Sequence, residues 1–156
     1  MITLLFATVS GKAEQLALLA RDRLLIDGWM AEVHNLATFP AVRLNETQIA
    51  LIITSSWGDG APPPDALEFF HAIETPKLRL PQLTYAVLAL GVHSNRLYVG
   101  SGWRIDTALE ARGARRLLPR RECDRNEPQA FDRWLDTLVE VLPDENSLML
   151  PELRLA

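Results

Sequence analysis

A strand and the loop after it decide the fold of this chain: Ile49-Ala50-Leu51-Ile52-Ile53, then Thr54-Ser55-Ser56-Trp57-Gly58-Asp59-Gly60-Ala61-Pro62-Pro63-Pro64. The first five residues form an apolar run that is typical of a strand covered on both faces. In the loop, hydroxyls can face a polar ligand, glycines permit backbone conformations closed to other residues, and Trp57 supplies a large flat ring. The prolines then restrict the exit and lead toward a helix. The stretch therefore suits a site for a planar ligand, and suits equally a plain connection around a buried tryptophan.

Length and composition limit what the chain can be. Its 156 residues, 48% of them hydrophobic, are enough for one domain with a real core. A net charge of −4 and the short apolar runs favour neither nucleic acid nor a membrane as a partner. The first residues carry no basic leader, so we expect a cytoplasmic protein. A single cysteine, Cys123, excludes an internal disulfide and a cysteine metal cluster, and no metal site is predicted.

Apolar runs alternate with segments of helical spacing along the whole chain. The predicted strands cover residues 2–7, 29–34, 49–53, 83–90 and 115–122, the last interrupted by Pro119 and hence an edge strand. The predicted helices begin near residues 12, 65, 101 and 131. The residues that indicate these helices are Ala13, Leu16, Ala17, Ala20 and Leu24 on one side of the first; Leu67, Phe69, Phe70 and Ile73 among polar residues in the second; Ser101, Ile105, Ala108 and Leu109 as the expected inner stripe of the third; and Phe131, Trp134, Leu135, Leu138 and Val141 in the last.

This alternation predicts an α/β fold of right-handed crossovers, with a five-stranded parallel sheet and helices on both faces. The strand order 2-1-3-4-5 is favoured. In such sheets ligands bind beyond the carboxyl ends of the strands, at the switch point between the first and third strands. Three loops follow strands there: loop 1, Thr8 to Ala13; loop 2, Ser55 to Gly60; and loop 3, Gly91 to Tyr98.

Loop 1 has the composition of a phosphate site, because hydroxyls and free backbone N–H groups meet at a helix N-terminus. It is not a Walker A loop, since Phe6 stands where glycine is required and Ala13 replaces the magnesium-binding hydroxyl residue. It is not a GxGxxG dinucleotide loop either. A phosphorylated receiver domain is excluded because Thr8 and Trp57 do not supply its aspartates. A hydrolase triad is disfavoured because the chain has no G-x-S-x-G motif.

The residues resemble flavodoxins, most closely the FMN-binding flavodoxin-like domain of diflavin reductases of the sulfite reductase flavoprotein type and single-domain flavodoxins of the MioC type. Loop 1 is similar to the family pattern (S/T)-x-(S/T)-G-x-(A/T), and loop 2 to S-T-x-G-x-G-x-P-P. Further matches run through Asp106, Gly113-Ala114 and Cys123-Asp124. No long insertion splits the fifth strand, so the resemblance is to the short-chain type. The domain would span residues 1–142, with residues 143–156 as a tail.

The resemblance implies FMN as cofactor, with loop 1 around the phosphate and Trp57 covering one face of the ring. It implies no catalytic residue. The cofactor-binding residues it implies are Thr8, Val9, Ser10, Gly11, Lys12, Ala13, Ser55, Ser56, Trp57, Gly58, Asp59, Gly91, Val92, His93, Ser94, Asn95 and Tyr98. The expected partners are an FAD/NAD(P)H-dependent reductase and an electron-accepting protein.

Loop 3 departs from the family pattern G-D-x-S-Y, because Val92 replaces the aspartate and Asn95 the stacking tyrosine. Losing one aromatic stack should weaken FMN binding by roughly tenfold. Tyr98 or His93 could take the place of the missing tyrosine. The alternative is that Tyr98 is a core residue at the start of the helix and His93 a solvated loop residue. The leading interpretation is an electron carrier; the alternatives are an interaction module with weak or lost FMN binding and, last, a flavin enzyme such as a quinone reductase. The arginines around the fifth strand are either a solvated rim or a surface for an acidic partner.

Overall fold

The computed structural model describes residues 1–56, 60–91, 100–124 and 128–143. Six strands and four α-helices lie in these ranges. The strands are β1 Ile2–Ala7, β2 Ala31–Asn35, β3 Ile49–Ser55, β4 Thr84–Gly91, β5 Arg115–Arg116 and β6 Arg121–Asp124. The α-helices are α1 Lys12–Ile26, α2 Leu67–Ile73, α3 Gly100–Ala111 and α4 Pro128–Val141. Short 3-10 helices occupy Ala41–Glu46 and Pro64–Ala66.

The strands form one parallel sheet in the order β2-β1-β3-β4-β5, and β6 also pairs with β4. The register places Phe6 beside Ile53, and Ile53 in turn beside Leu88. The predicted order 2-1-3-4-5 is therefore confirmed, with its fifth position shared by two short strands. Because every pairing is parallel, the carboxyl ends of β1, β3 and β4 come out at the same edge of the sheet.

The sheet is covered on both faces, as its apolar strands predict. One core cluster joins it to α1 and α4, and the other to α2 and α3. The predicted stripes of α1 and α3 are buried throughout. Two of the apolar residues that indicate helices are not buried: Leu67 is 38% exposed and Val141 is 41% exposed. They are the first residue of α2 and the last of α4, where the helix ends face solvent.

The second strand begins at Ala31 rather than at the predicted Trp29 because α1 ends in a tight turn. Gly28 has φ 91°, and the N–H of Trp29 donates to the carbonyl oxygen of Leu24 at 2.9 Å. That bond occupies a backbone carbonyl left open at the helix end. Trp29 thus belongs to the turn that follows α1. The connection predicted to be irregular, residues 36–46, includes the first 3-10 helix.

The predicted fifth strand is in fact two strands, β5 and β6, separated by residues 117–120. Pro119 lies in the gap and has no N–H to give to a ladder. Asp106 of α3 accepts hydrogen bonds from Arg116 Nε and Arg120 Nη1, both at 2.8 Å. These bonds hold the interrupted segment against α3.

Among the described residues, no helix has both the length and the apolar character that crossing a membrane requires.

Candidate functional site

Three loops leave the sheet from adjacent positions at its carboxyl edge. Loop 1 follows Ala7, which is paired with Thr54 just before loop 2. Ser55 opens loop 2 beside Leu90, and Gly91 opens loop 3 one residue later. The predicted phosphate loop, the tryptophan loop and the third loop therefore start at the same edge of the sheet, as the topology requires.

Loop 1 is held as a tight turn by its own residues. The hydroxyl oxygen of Thr8 accepts a 2.8 Å hydrogen bond from the N–H of Gly11. Gly11 has φ 90°, a left-handed conformation that glycine adopts without strain. The N–H of Gln15 is bonded to the carbonyl oxygen of Gly11, so α1 begins directly after the turn. The preceding N–H groups of the first turn have no intrahelical acceptor and can bind an anion.

The side chains of loop 1 divide into two groups. Val9, Ser10 and Lys12 are exposed, and they are free to meet a ligand or solvent. Ala13 is fully buried in the core under α1. Its contribution to a ligand can therefore come only from its backbone N–H, whereas Ser10 and Lys12 can contribute a hydroxyl and a positive charge.

The entrance of loop 2 is bonded to the start of α3. Ser55 and Ser56 are half-buried, and both accept hydrogen bonds from Ser101: its hydroxyl donates to the carbonyl oxygen of Ser55 at 2.8 Å, and its N–H to the hydroxyl of Ser56 at 3.2 Å. At the exit, Gly60 is buried with φ 97°. Trp57, Gly58 and Asp59 lie outside the described residues.

Loop 3 is described only at its boundaries. Gly91 is the last residue of β4, and α3 starts at Gly100. The predicted site residues between them, Val92, His93, Ser94, Asn95 and Tyr98, lie outside the described residues.

Asp124 shares this edge of the sheet and is absent from the predicted cofactor-binding residues. It ends β6, is paired with Gly91 and is almost fully buried. Together with Lys12 and Cys123 it lines a small cavity of about 90 Å³ at the start of α1. Its place at the carboxyl end of a strand next to β4 is the signal that could have identified it.

Ser101 is a second residue that contacts a loop and that the sequence pattern does not assign to the site. The pattern predicts it only as part of the inner stripe of α3, and the residue is fully buried. Its partners in loop 2 lie 45 and 46 residues earlier in the chain, so no local pattern reveals the contact.

In the described ranges, no group of three or more histidine, cysteine, aspartate and glutamate side chains could hold a metal ion. The carboxyl edge offers backbone N–H groups, hydroxyls and the exposed ammonium group of Lys12 instead. This donor set is suited to a phosphate-bearing organic ligand.

The fold is an α/β domain in which the carboxyl ends of β1, β3 and β4 lie side by side at one edge of the sheet. The flavodoxin family model matches residues 4–134, and the chain belongs to the flavodoxin family. FMN is the cofactor of this family, in agreement with the expectation from the loops. The chain is therefore a flavodoxin-like electron-transfer domain.

Curated relatives include NADPH oxidoreductase A of Dictyostelium discoideum, 33% identical over 144 residues that cover 91% of this chain and 23% of the relative. The sulfite reductase [NADPH] flavoprotein alpha-component of Bacillus subtilis is also 33% identical over 144 residues, covering 90% of this chain and 24% of the relative. The chain thus spans about a quarter of the length of the curated relatives it matches.

Solved structures show the same fold over nearly the whole chain. A Streptococcus pneumoniae flavodoxin superposes with a TM-score of 0.80 at 24% identity, covering 90% of this chain and 96% of that one. Oxidised flavodoxin 1 of Bacillus cereus gives a TM-score of 0.78 at 22% identity, covering 91% and 99%.

Proposed function

We propose that this chain is an FMN-binding electron carrier that accepts electrons from a separate FAD/NAD(P)H-dependent reductase and passes them to an electron-accepting protein. The observation that carries the proposal is that loops 1, 2 and 3 start from neighbouring strands at one edge of a flavodoxin sheet. Bound FMN supplies the redox chemistry, taking up and releasing electrons singly or in pairs. The residues of the chain bind it, orient it and tune its surroundings.

Loop 1 fits the FMN phosphate. The turn closed by Thr8 and Gly11 needs no ligand to form, since its hydrogen bond joins two residues of the loop itself. The first N–H groups of α1 then face the anion, and the helix dipole favours the negative charge there. Ser10 and Lys12, both exposed, add a hydroxyl and an ammonium group.

Loops 2 and 3 would hold the ring. Ser55 and Ser56 are fixed by α3, which positions the start of loop 2. We expect Trp57 to cover one face of the isoalloxazine and Val92 to Asn95 to border the other. The sequence of loop 3 lacks the aromatic residue of the family pattern, so the tryptophan carries most of the stacking.

Titration of the purified protein with FMN, followed by quenching of flavin fluorescence, tests the cofactor. We expect a dissociation constant of about 1 μM or lower, equivalent to about 8 kcal/mol. Riboflavin is the matched control, because it has the same ring and lacks the phosphate; it should bind at least about tenfold more weakly if loop 1 holds that group. No FMN binding at tens of micromolar, roughly 6 kcal/mol, rejects the carrier.

Anaerobic reduction by NADPH tests the carrier role. The chain loaded with FMN should stay oxidised with NADPH alone and become reduced after a catalytic amount of an FAD-containing reductase is added. Steady NADPH oxidation by the isolated chain would contradict a pure carrier and favour a flavin enzyme.

One observation favours a second candidate, an interaction module with weak or lost FMN binding: Val92 and Asn95 replace both informative side chains of loop 3. The same titration separates the two functions, since a module of this kind folds normally and leaves FMN fluorescence unquenched.

A further inference from the structure

The first turn of α3 contacts both ends of loop 2. At the entrance, the Ser101 hydroxyl lies 2.7 Å from the Thr54 hydroxyl and 2.8 Å from the carbonyl oxygen of Ser55. At the exit, Gly100 lies so close to Gly60 that a Cβ at position 100 would come 2.5 Å from the Gly60 carbonyl oxygen. Two consecutive residues of one helix thus define where loop 2 starts and where it ends.

Either hydroxyl can be the donor in the bond between Thr54 and Ser101, and the Thr54 hydroxyl also lies 3.3 Å from the carbonyl oxygen of Ser55. Each hydroxyl has a single proton. If Ser101 donates to the carbonyl oxygen of Ser55, Thr54 donates to Ser101, and the chain of bonds runs from β3 through α3 back to loop 2. Thr54 and Ser101 are both fully buried, so water cannot replace a missing partner.

Helix α3 packs closely against β4. A Cβ at Gly102 would lie 2.3 Å from the Cβ of Ala89, so only glycine permits this approach. Helix α3 starts at Gly100, so the turn that contacts both ends of loop 2 also follows loop 3 in the sequence.

We propose that Ser101 and Gly100 are positioning residues for the cofactor, which fix the two ends of loop 2 before FMN arrives; this role rests on the proposed function. A loop whose two ends are already fixed loses less conformational freedom when the ligand binds, and the affinity for the ligand is correspondingly higher. Neither residue needs to touch the flavin.

The test compares hydroxyl deletions at the two ends of β3. Ser101→Ala and Thr54→Val each remove one of the two bonded hydroxyls at the entrance of loop 2. Thr47→Val is the matched control: Thr47 is also buried, donates a 2.9 Å hydrogen bond to the carbonyl oxygen of Arg43, and lies before β3, at the opposite edge of the sheet. FMN affinity and urea unfolding of the FMN-free protein are measured for all three.

We expect Ser101→Ala and Thr54→Val to weaken FMN binding by roughly fivefold to tenfold, the loss of about one hydrogen bond. Thr47→Val should bind FMN with the affinity of the wild type, even if its urea unfolding midpoint falls as much as those of Ser101→Ala and Thr54→Val. The exchange Thr54→Ser with Ser101→Thr keeps both hydroxyls and should restore affinity to within about twofold. Gly100→Ala should weaken binding as well, because its methyl group displaces Gly60.

Equal FMN affinity in the wild type, Ser101→Ala and Thr54→Val overturns the positioning role and leaves the proposed function intact. Equal weakening in Thr47→Val overturns it too, since the effect would then follow stability alone. Absence of FMN binding by the wild type rejects the proposed function and the positioning role together.

Discussion

The phenolic hydroxyl of Tyr85 donates a 2.7 Å hydrogen bond to Oδ1 of Asp106, joining the beginning of β4 to α3. The same carboxylate accepts hydrogen bonds from Arg116 and Arg120, so four parts of the chain meet at one buried charge. Tyr85 is fully buried and the side chain of Asp106 is 5% exposed. Both oxygens of the Asp106 carboxylate have defined partners, a condition under which a buried charge is tolerated, whereas the buried Nε of Arg120 has no partner among the described residues.

Replacement of Asp106 by asparagine should lower the free energy of unfolding by about 2 to 3 kcal/mol, because two guanidinium groups lose the carboxylate that they share. Urea unfolding followed by circular dichroism measures the loss. Asp136→Asn is the control: its bridge to Arg23 is also 2.8 Å long, but both side chains are largely exposed. The control should match the wild type within error, and an equal loss in both variants would contradict a special role for the buried site.

Stability should fall steeply above pH 10 because of Tyr85. Burial, and next the hydrogen bond to Asp106, raise the pKa of Tyr85 well above the ordinary tyrosine range. Above pH 10 the unfolded chain releases this proton while the folded chain keeps it, so stability decreases with rising pH. The slope attributable to one proton is at most about 1.4 kcal/mol per pH unit. Urea unfolding at pH 9 to 11 should give a shallower slope for Tyr85→Phe, and identical slopes would refute the assignment.

Trp57→Ala should weaken FMN binding by at least about 1 kcal/mol, roughly fivefold, because it removes the principal stacking ring. Fluorescence titration measures the change. Trp103→Ala provides the control, since Trp103 is a 54% exposed tryptophan on α3. It should leave FMN affinity unchanged, and an unchanged affinity in Trp57→Ala would make Trp57 a core residue instead.

Asn95→Tyr should tighten FMN binding by up to about tenfold, because it restores the aromatic residue of the family pattern at loop 3. Asn95→Ala separates the added ring from the removed amide and should bind like the wild type. A neutral result for the tyrosine variant would show that loop 3 does not follow the family geometry.

The helix stripes and the sheet order could be predicted because they depend on local spacing. In α1, small and apolar side chains recur on one face, and the structure buries that face. The alternation of strands and helices similarly leaves few topologies open. Loop 1 and the entrance of loop 2 lie at the predicted edge because parallel strands deliver their carboxyl ends there.

The details that escaped prediction depend on particular hydrogen bonds, which the hydropathy pattern does not reveal. Trp29 reads as a strand residue, yet its N–H closes the turn after α1. The fifth strand reads as one segment, yet Arg116 and Arg120 both turn toward Asp106. Ser101 reads as a small core residue, and only the folded chain brings its hydroxyl to Thr54.

The interruption of the fifth strand also affects how the sheet meets other chains. An edge strand with free backbone groups can template pairing with a second molecule, the first step of aggregation. Here that edge consists of a two-residue strand and a four-residue strand, with Pro119 between them and arginines at 115, 116 and 121. A strand of a second molecule would find no continuous row of backbone groups to pair with, and it would meet positive charge. The interrupted segment that is bonded to Asp106 therefore also disfavours edge-to-edge association of the sheet.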